Sequence, residues 1–416
     1  MNTSLRQVLH GMLRLGSGEF VGRVFSVSVI ILLGHRYGVV ILGMYALAMT
    51  VTQYLQPLID FGLRHIGARL MAQYPRSARE IMHRVQRRRL MMGAVALPLL
   101  LIYAWLAKLP LDMKIWLALF SATGVLYALS LEWAAWGWEH LRLVGLSRAM
   151  VTFCILVAVV AGHPSSAQVL WRALAGHAAG FLLLAAVFHA WWNRYRPSGK
   201  EAVEDLNEIA GSLAWRRTSI MGVAWFSNMA FNSIDVLMLG AMSNAQQVGL
   251  YSAAYRLLGQ VLVTYYLFTN ALYPQLARQT IEDRLRMLRP RYLLALFGTG
   301  VVLAIALATV RRGLLTIFFG HQFLAAAALL FILTWCLPLD FLTSYLSNAY
   351  IAWGMEKRVL LCTAIAAACN ILLNLIWIPV YGATAAAVNT VISYVIFLTS
   401  LALAGRSAKE LARPKD

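Results

Sequence analysis

Acidic side chains are scarce in this chain: 17 Asp and Glu stand against 36 Lys and Arg in 416 residues, and charged residues of both signs make up only 13%. Soluble domains carry about 25% charged and about 45–50% apolar residues. Here 60% are hydrophobic and the mean hydropathy is +0.67, which excludes an ordinary soluble fold. Cysteine is equally sparse. Cys154, Cys336, Cys362 and Cys369 all lie in apolar runs without metal-type spacing, which argues against a disulfide framework or a metal site. No ten-residue alternation of the kind a membrane barrel needs is present. No loop carries a His/Asp/Glu cluster of hydrolase spacing or a Gly-rich nucleotide motif, so neither an enzyme nor a cofactor is expected. The N-terminus has no small-residue cleavage site and its first apolar run holds Glu19 and Arg23, so a removable signal peptide is not expected.

What the chain does have is a succession of apolar runs long enough to cross ~30 Å of hydrocarbon. Twelve spans are predicted, near 17–35, 39–60, 90–107, 114–135, 146–162, 169–192, 218–242, 248–272, 292–310, 323–349, 358–378 and 382–404. With the N-terminus placed in the cytoplasm, 28 of the 36 Lys and Arg fall on that side and six on the other, leaving Arg23 and Arg256 inside spans. The net charge of +19 therefore reads as a topology signal with both termini cytoplasmic, and no nucleic-acid partner is expected. The Arg-rich stretch from Phe61 to Arg89 fits the same signal, with anionic membrane lipids as the partners it would attract. The mixed-charge segment 193–217 reads as a solvated helix joining two halves. The predicted organisation is an amphipathic N-terminus (1–16), a bundle over 17–192, a linker over 193–217, a second bundle over 218–404 and a tail over 405–416.

The halves echo each other. Ala135-Trp-Gly-Trp-Glu-His-Leu-Arg-Leu is answered 217 residues later by Ala352-Trp-Gly-Met-Glu-Lys-Arg-Val-Leu, and Leu42-Gly-Met-Tyr 206 residues later by Val248-Gly-Leu-Tyr. Six spans per half is an even number, so the two six-helix units are expected to be parallel repeats about an axis along the membrane normal.

An ionisable residue in the middle of a span costs roughly 2.5–3.5 kcal/mol on insertion scales, and is retained where it meets a partner, a wet cavity or a substrate. Asp235 and Arg256 sit in consecutive spans, and Arg23 in the first. Asn228 and Asn232 share the helical face of Asp235; Gln53 and Asp60 share one face of span 2, and Arg256 and Gln260 one face of span 8. These are the candidate polar linings. Glu19, Asp60 and Asp235 are candidates either for taking up an ion or for static pairing with arginine; Glu19, one turn before Arg23, would neutralise it. Glu132 and Glu139 read as surface charge ahead of a solvated gate pair, Asn370 and Asn374 as helix-pairing amides ahead of contacts to sugar hydroxyls, and Trp133, Trp136, Trp138, Trp191 and Trp192 as an interfacial belt rather than sugar platforms.

Ser233-Ile-Asp-Val-Leu-Met-Leu-Gly and Val248-Gly-Leu-Tyr-Ser-Ala-Ala-Tyr-Arg-Leu, with Leu42-Gly-Met-Tyr-Ala-Leu-Ala-Met and Asp60-Phe-Gly-Leu in the first half, resemble the polysaccharide-unit flippases (O-antigen, Wzx-like) of the multidrug/oligosaccharidyl-lipid/polysaccharide exporter (MOP) superfamily. The resemblance covers nearly the whole chain. It implies an all-α, MATE-like polytopic fold of about 12 transmembrane helices in two bundles, in the bacterial inner membrane. The implied activity is movement of a polyprenyl-diphosphate-linked oligosaccharide from the cytoplasmic to the periplasmic leaflet by alternating access, for O-antigen or exopolysaccharide synthesis, beside a polysaccharide polymerase and chain-length machinery. It also implies a cationic path, for which Arg23 and Arg256 are the candidate diphosphate-binding residues because guanidinium grips phosphate oxygens in pairs. In some members it implies coupling to an H+ or Na+ gradient. The alternatives are a drug/cation antiporter of the same superfamily, which an arginine-lined path disfavours, and a membrane polymerase or ligase, which lacks here the long outer loop it would need.

Overall fold

The computed structural model describes residues 3–162, 165–197, 206–277 and 289–411, and among them every regular element is helical. The α-helices are α1 (Thr3–Tyr37), α2 (Val39–Asp60), α3 (Leu63–Gln73), α4 (Ala78–Leu106), α5 (Leu111–Gly124), α6 (Glu132–Gly137), α7 (Leu141–Val160) and α8 (Ser166–Tyr195), followed by α9 (Leu206–Ser212), α10 (Trp215–Met242), α11 (Ala245–Ala277), α12 (Pro290–Phe319), α13 (Ala326–Thr334), α14 (Cys336–Ala352), α15 (Glu356–Tyr381) and α16 (Ala383–Leu411). Local chemistry sets several ends. Gly38 at φ 92° separates α1 from α2, and Gly62 at φ 83° stands between α2 and α3, in a left-handed conformation that glycine adopts without a Cβ penalty. Ser165 N–H donates to Gln168 Oε1 at 3.2 Å at the start of α8, half of a capping box.

Among the described residues nine helices are long and apolar enough to cross a membrane, ten when the pair α13 and α14, bent by 41°, is taken as one span. The two remaining predicted spans are present as α10 and α11. Their apolar character is diluted by Asn228, Asn232 and Asp235 in one and by Gln246, Gln247, Arg256 and Gln260 in the other. Most of the residues that lower their hydropathy are the ones expected to be functional.

The chain forms two compact units, Met1–Tyr37 with Leu47–Phe226, and Gly38–Ala46 with Ser227–Asp416. In the first unit α7 packs between α1 and α8, and a Cβ on Gly18 would lie 2.3 Å from the carbonyl carbon of Gly145, so α1 and α7 touch backbone to backbone. In the second unit the start of α2 meets α11 the same way: a Cβ on Gly43 would lie 1.9 Å from the Ala245 carbonyl oxygen, and one on Gly249 2.1 Å from that of Val39. Each unit breaks its fourth predicted span. In the first, α5 passes through a 3-10 turn (Val125–Leu129) into the short α6; in the second, α13 bends into α14.

The stretch from Phe61 to Arg89, expected as a solvated basic loop, is instead α3 and the first three turns of α4, which begins at Ala78 rather than near residue 90. Its arginines find partners: Arg88 donates to the Leu213 carbonyl, Arg79 to that of Pro197 at 2.6 Å, and Arg69 to Ser212 Oγ at 3.4 Å. In the linker, Glu201, Glu204 and Asp205 lie outside the described residues; α9 forms beyond them with Ile209 and Ser212 buried.

Candidate functional site

The second unit encloses Asp235 completely. Its residue is 1% exposed, and Asn370, Asn374 and Asn389 are 0% exposed. Asn374 Nδ2 donates to Asp235 Oδ1 at 2.6 Å and to Asn370 Oδ1 at 2.7 Å, and Asn389 Nδ2 donates to Asn374 Oδ1 at 2.9 Å. On the other carboxylate oxygen, Tyr251 Oη donates at 3.0 Å and Thr390 Oγ1 lies at 3.2 Å. Thr390 Oγ1 is also 3.0 Å from Tyr251 Oη and 2.7 Å from the Ala386 carbonyl. Residues from α10, α11, α15 and α16 thus converge on one carboxylate.

The arginine pairing offered as one alternative for Asp235 is not what the fold makes. No ion pair involves Asp235 among the described residues, and its hydrogen-bond partners are all neutral. Proton counting shows what is missing. The four short contacts Tyr251–Asp235, Tyr251–Thr390, Thr390–Asp235 and Thr390–Ala386 share two hydroxyl protons. Asn370 also faces the Asp235 carboxylate as a side-chain donor, and Asn389 Oδ1 is buried without a hydrogen-bond partner among the described residues. A buried cluster this rich in oxygen can accept one more proton or a small hard cation, and a carboxylate isolated from cationic side chains favours either. Asn228 and Asn232 follow the same helical stripe as Asp235 but meet different surroundings: both are exposed, and Asn232 Nδ2 donates back to the Asn228 carbonyl at 2.7 Å. The stripe therefore runs from an open end into the interior of the unit.

The first unit holds a cluster of the opposite kind. Arg89, 1% exposed, places Nε 2.8 Å from Asp60 Oδ1, and Tyr127 Oη donates to Asp60 Oδ2 at 2.8 Å. The remaining guanidinium nitrogens of Arg89 reach the carbonyls of Ser130 and Tyr127, the latter at 3.3 Å. Asp60 is thus charge-paired, and every nitrogen of its partner makes a hydrogen bond. Beside it Arg64 binds Glu132 at 2.7 Å and lies 5.4 Å from the Trp136 ring. Glu132, expected at the surface, is buried because the 3-10 turn before α6 carries it under α3. Trp133 is likewise no belt residue: it is 1% exposed and fills the space over Gly67. His65, half-buried, packs edge-on to Trp136 at 5.2 Å and against Trp225 at 6.0 Å. Burial first, then the neighbouring Arg64, hold its imidazole below the usual 6.5 against the opposing pull of Asp60.

The other predicted residues are dispersed. Arg23, Gln53 and Gln260 are exposed, and the side chain of Glu19 lies outside the described residues. Arg256 is partly exposed, forms no ion pair among the described residues, and has the Tyr45 hydroxyl as its electrostatic neighbour. Arg89, Tyr251, Asn389 and Thr390 escape sequence reasoning, as does Asp340, which is bound by Ser344 Oγ at 3.2 Å and by Tyr394. A lone polar residue in a spanning helix is the available signal.

Among the described residues the chain is all-helical and divides into two units, each with a buried polar cluster, and nine or ten of its helices are long and apolar enough to cross a membrane. Over 98% of the chain it superposes on 99% of an inward-facing multidrug resistance MATE family transporter of the MOP superfamily with a TM-score of 0.68 at 11% identity. It covers 87% of the lipid II flippase MurJ in an inward closed conformation with 94% of its own length, at TM-score 0.64 and 14% identity. A point mutant of the Vibrio cholerae MATE transporter VcmN matches over 98% of this chain and 99% of its own, at TM-score 0.57 and 14% identity. No curated protein sequence matches the chain. The family model described as polysaccharide biosynthesis protein matches residues 8–279, and the chain belongs to that family.

Proposed function

We propose that the protein is a flippase that moves a polyprenyl-diphosphate-linked oligosaccharide from the cytoplasmic to the periplasmic leaflet of a bacterial inner membrane, with both termini cytoplasmic, by alternating access of its two units, in the synthesis of O-antigen or another surface polysaccharide. The observation that carries this reading is the family match over residues 8–279. Arg256 supports it: a guanidinium in a spanning helix without an ion pair among the described residues suits a phosphate and repels a cationic drug. Arg23, exposed on α1, is the second candidate for the diphosphate. A polysaccharide polymerase would receive the product.

Ion coupling is assigned to the cluster around Asp235. Asp235, Thr390, Asn374 and the Ala386 carbonyl would hold the proton or Na+, whose arrival neutralises the buried carboxylate and shifts the balance between conformations. Asp60 has no such role in this reading, because Arg89 already neutralises it.

The test is a leaflet assay in proteoliposomes that follows exposure of a polyprenyl-diphosphate oligosaccharide to an added glycosidase, with and without pH and Na+ gradients. Protein-dependent exposure is expected, cut about tenfold or more by Arg256→Ala, the loss of a charge-assisted phosphate contact, and partly restored by Arg256→Lys. Absence of exposure from folded protein under every gradient would replace this reading with the antiporter.

A further inference from the structure

A cleft of about 710 Å³ opens in the first unit between α4 and α8, within the ~300–1,000 Å³ of ordinary ligand sites. Its lining changes character along one direction. On α4, Arg79, His83 and Arg87 follow at successive turns, and the same face continues as Leu90, Met91 and Ala94. Along α8 the order is reversed: Arg196, just past its last residue, stands at the basic end, and Trp192 and His189 precede it, while Leu131 adds a further apolar wall. The two basic ends coincide, because Arg79 Nη2 donates to the Pro197 carbonyl at 2.6 Å. From Arg79 to Ala94 the helix rises about 22 Å at about 1.5 Å per residue. That is enough for a headgroup layer followed by most of one leaflet of a ~30 Å hydrocarbon core.

Beside Arg79, which the Pro197 carbonyl holds at the rim, the mouth carries two more guanidinium groups. Arg87 and Arg196 are exposed and form no ion pair among the described residues. The acid on this part of α4, Glu80, is committed to Arg84 at 2.5 Å. The cleft is poor in what a sugar would need. Gln86 is its one neutral amide, and that amide nitrogen already donates to the Ala128 carbonyl. Basic groups at one end, apolar groups at the other and almost no neutral hydrogen-bonding side chains between them match a phosphate ester with an alkyl chain and no glycan.

We infer that this cleft is a binding site for an anionic phospholipid of the surrounding bilayer, its phosphate held by Arg79, Arg87 and Arg196 and one acyl chain laid along Leu90, Met91 and Ala94. The site lies within a single unit, apart from Arg256 and the Asp235 cluster, and stands whether or not the transport reading does. Guanidinium–phosphate pairs supply the affinity, and the headgroup region is where such pairs hold best against water.

The experiment is thermal unfolding and native mass spectrometry of the purified full-length protein in detergent, titrated with phosphatidylglycerol, phosphatidylcholine or inorganic phosphate. Phosphatidylglycerol is expected to raise the melting temperature and to remain bound as a discrete adduct; phosphatidylcholine and inorganic phosphate are expected to do neither at equal concentration. The combined variant Arg79→Gln, Arg87→Gln, Arg196→Gln is expected to raise the half-saturating phosphatidylglycerol concentration about tenfold or more, as the loss of charge-assisted pairs requires. Ala94→Trp, which fills the apolar end and leaves every charge in place, is expected to do the same and decides the matter if the arginine variant does not fold. Equal stabilisation by phosphatidylcholine or by phosphate alone, an unchanged titration in the folded variants, or displacement of phosphatidylglycerol by equimolar polyprenyl phosphate would overturn the assignment.

Discussion

Arg87, Arg88 and Arg89 are one residue type three times in a row, yet they occupy three environments. A helix turns about 100° per residue, so Arg87 is exposed, Arg88 reaches the Leu213 carbonyl, and Arg89 is sealed against Asp60. Asp60 and Asp235 contrast in the same way: one carboxylate sits beside a buried guanidinium, the other among neutral donors. Asp235→Asn keeps the shape and the Asn374 contact region but removes the charge. It is expected to leave the folded protein intact and to abolish any difference in flipping rate with and without a pH or Na+ gradient; a gradient response retained by the variant removes Asp235 from coupling. His65 makes a separate pH prediction. Its folded value is held below the usual 6.5, so below that pH the unfolded chain binds more protons than the folded one. Stability is therefore fully present above about 6.5 and declines as pH falls toward the folded value. Thermal melts from about pH 5 to about pH 7.5 are expected to show this decline, and His65→Gln to flatten it.

Helices in a bilayer associate through close packing, because lipid is as apolar as leucine. At the α2–α11 contact the backbones themselves touch at Gly43 and Gly249. Gly249→Leu cannot be accommodated by side-chain movement, since the obstacle is the Val39 carbonyl, and overpacking of this kind costs about 1–3 kcal/mol or more. A large loss of folded yield is expected in detergent-resistance assays. Gly298 in α12 has open space where its Cβ would go, so Gly298→Ala is expected to be neutral or to stabilise by up to about 1 kcal/mol. If both substitutions behave alike, close packing does not explain the Gly43–Gly249 contact. The broken fourth spans belong to this scale too. Neither a 3-10 turn nor a 41° bend interrupts an apolar run, so both read in the sequence as continuous helices.

Over the whole molecule, the repeat extends beyond the motifs that first showed it. Thr123 Oγ1 lies 2.6 Å from His177 Nδ1 in the first unit; displaced by 217 residues stand Asp340 and Tyr394, which hydrogen-bond in the second. The position of the pair is kept while its chemistry changes from a hydroxyl–imidazole contact to a carboxyl–phenol contact. The proposed orientation is testable at this scale. Arg311→Cys is expected to be labelled by an impermeant thiol reagent from outside intact cells, and Arg291→Cys only after permeabilisation. The reverse pattern, or labelling of both from one side, overturns the orientation.

The succession of spanning helices is written in the chain, because crossing hydrocarbon demands about twenty apolar residues in a row and leaves an unmistakable local trace. Asp235, Asn370 and Asn374 are picked out for the same reason: a polar residue stands out in an apolar run. What the sequence does not say is who meets whom. Asp235 is joined to Asn374 across 139 residues and to Thr390 across 155, and no local pattern encodes such distances. Trp133 and Glu132 read as surface residues because they stand at the end of the predicted span 114–135, and only the packing of α3 over α6 puts them inside. Partners, and hence which buried charge is neutralised and which remains open to an ion, are fixed by tertiary contacts, because electrostatic energy depends on distance in space and on burial, neither of which is a property of position along the chain.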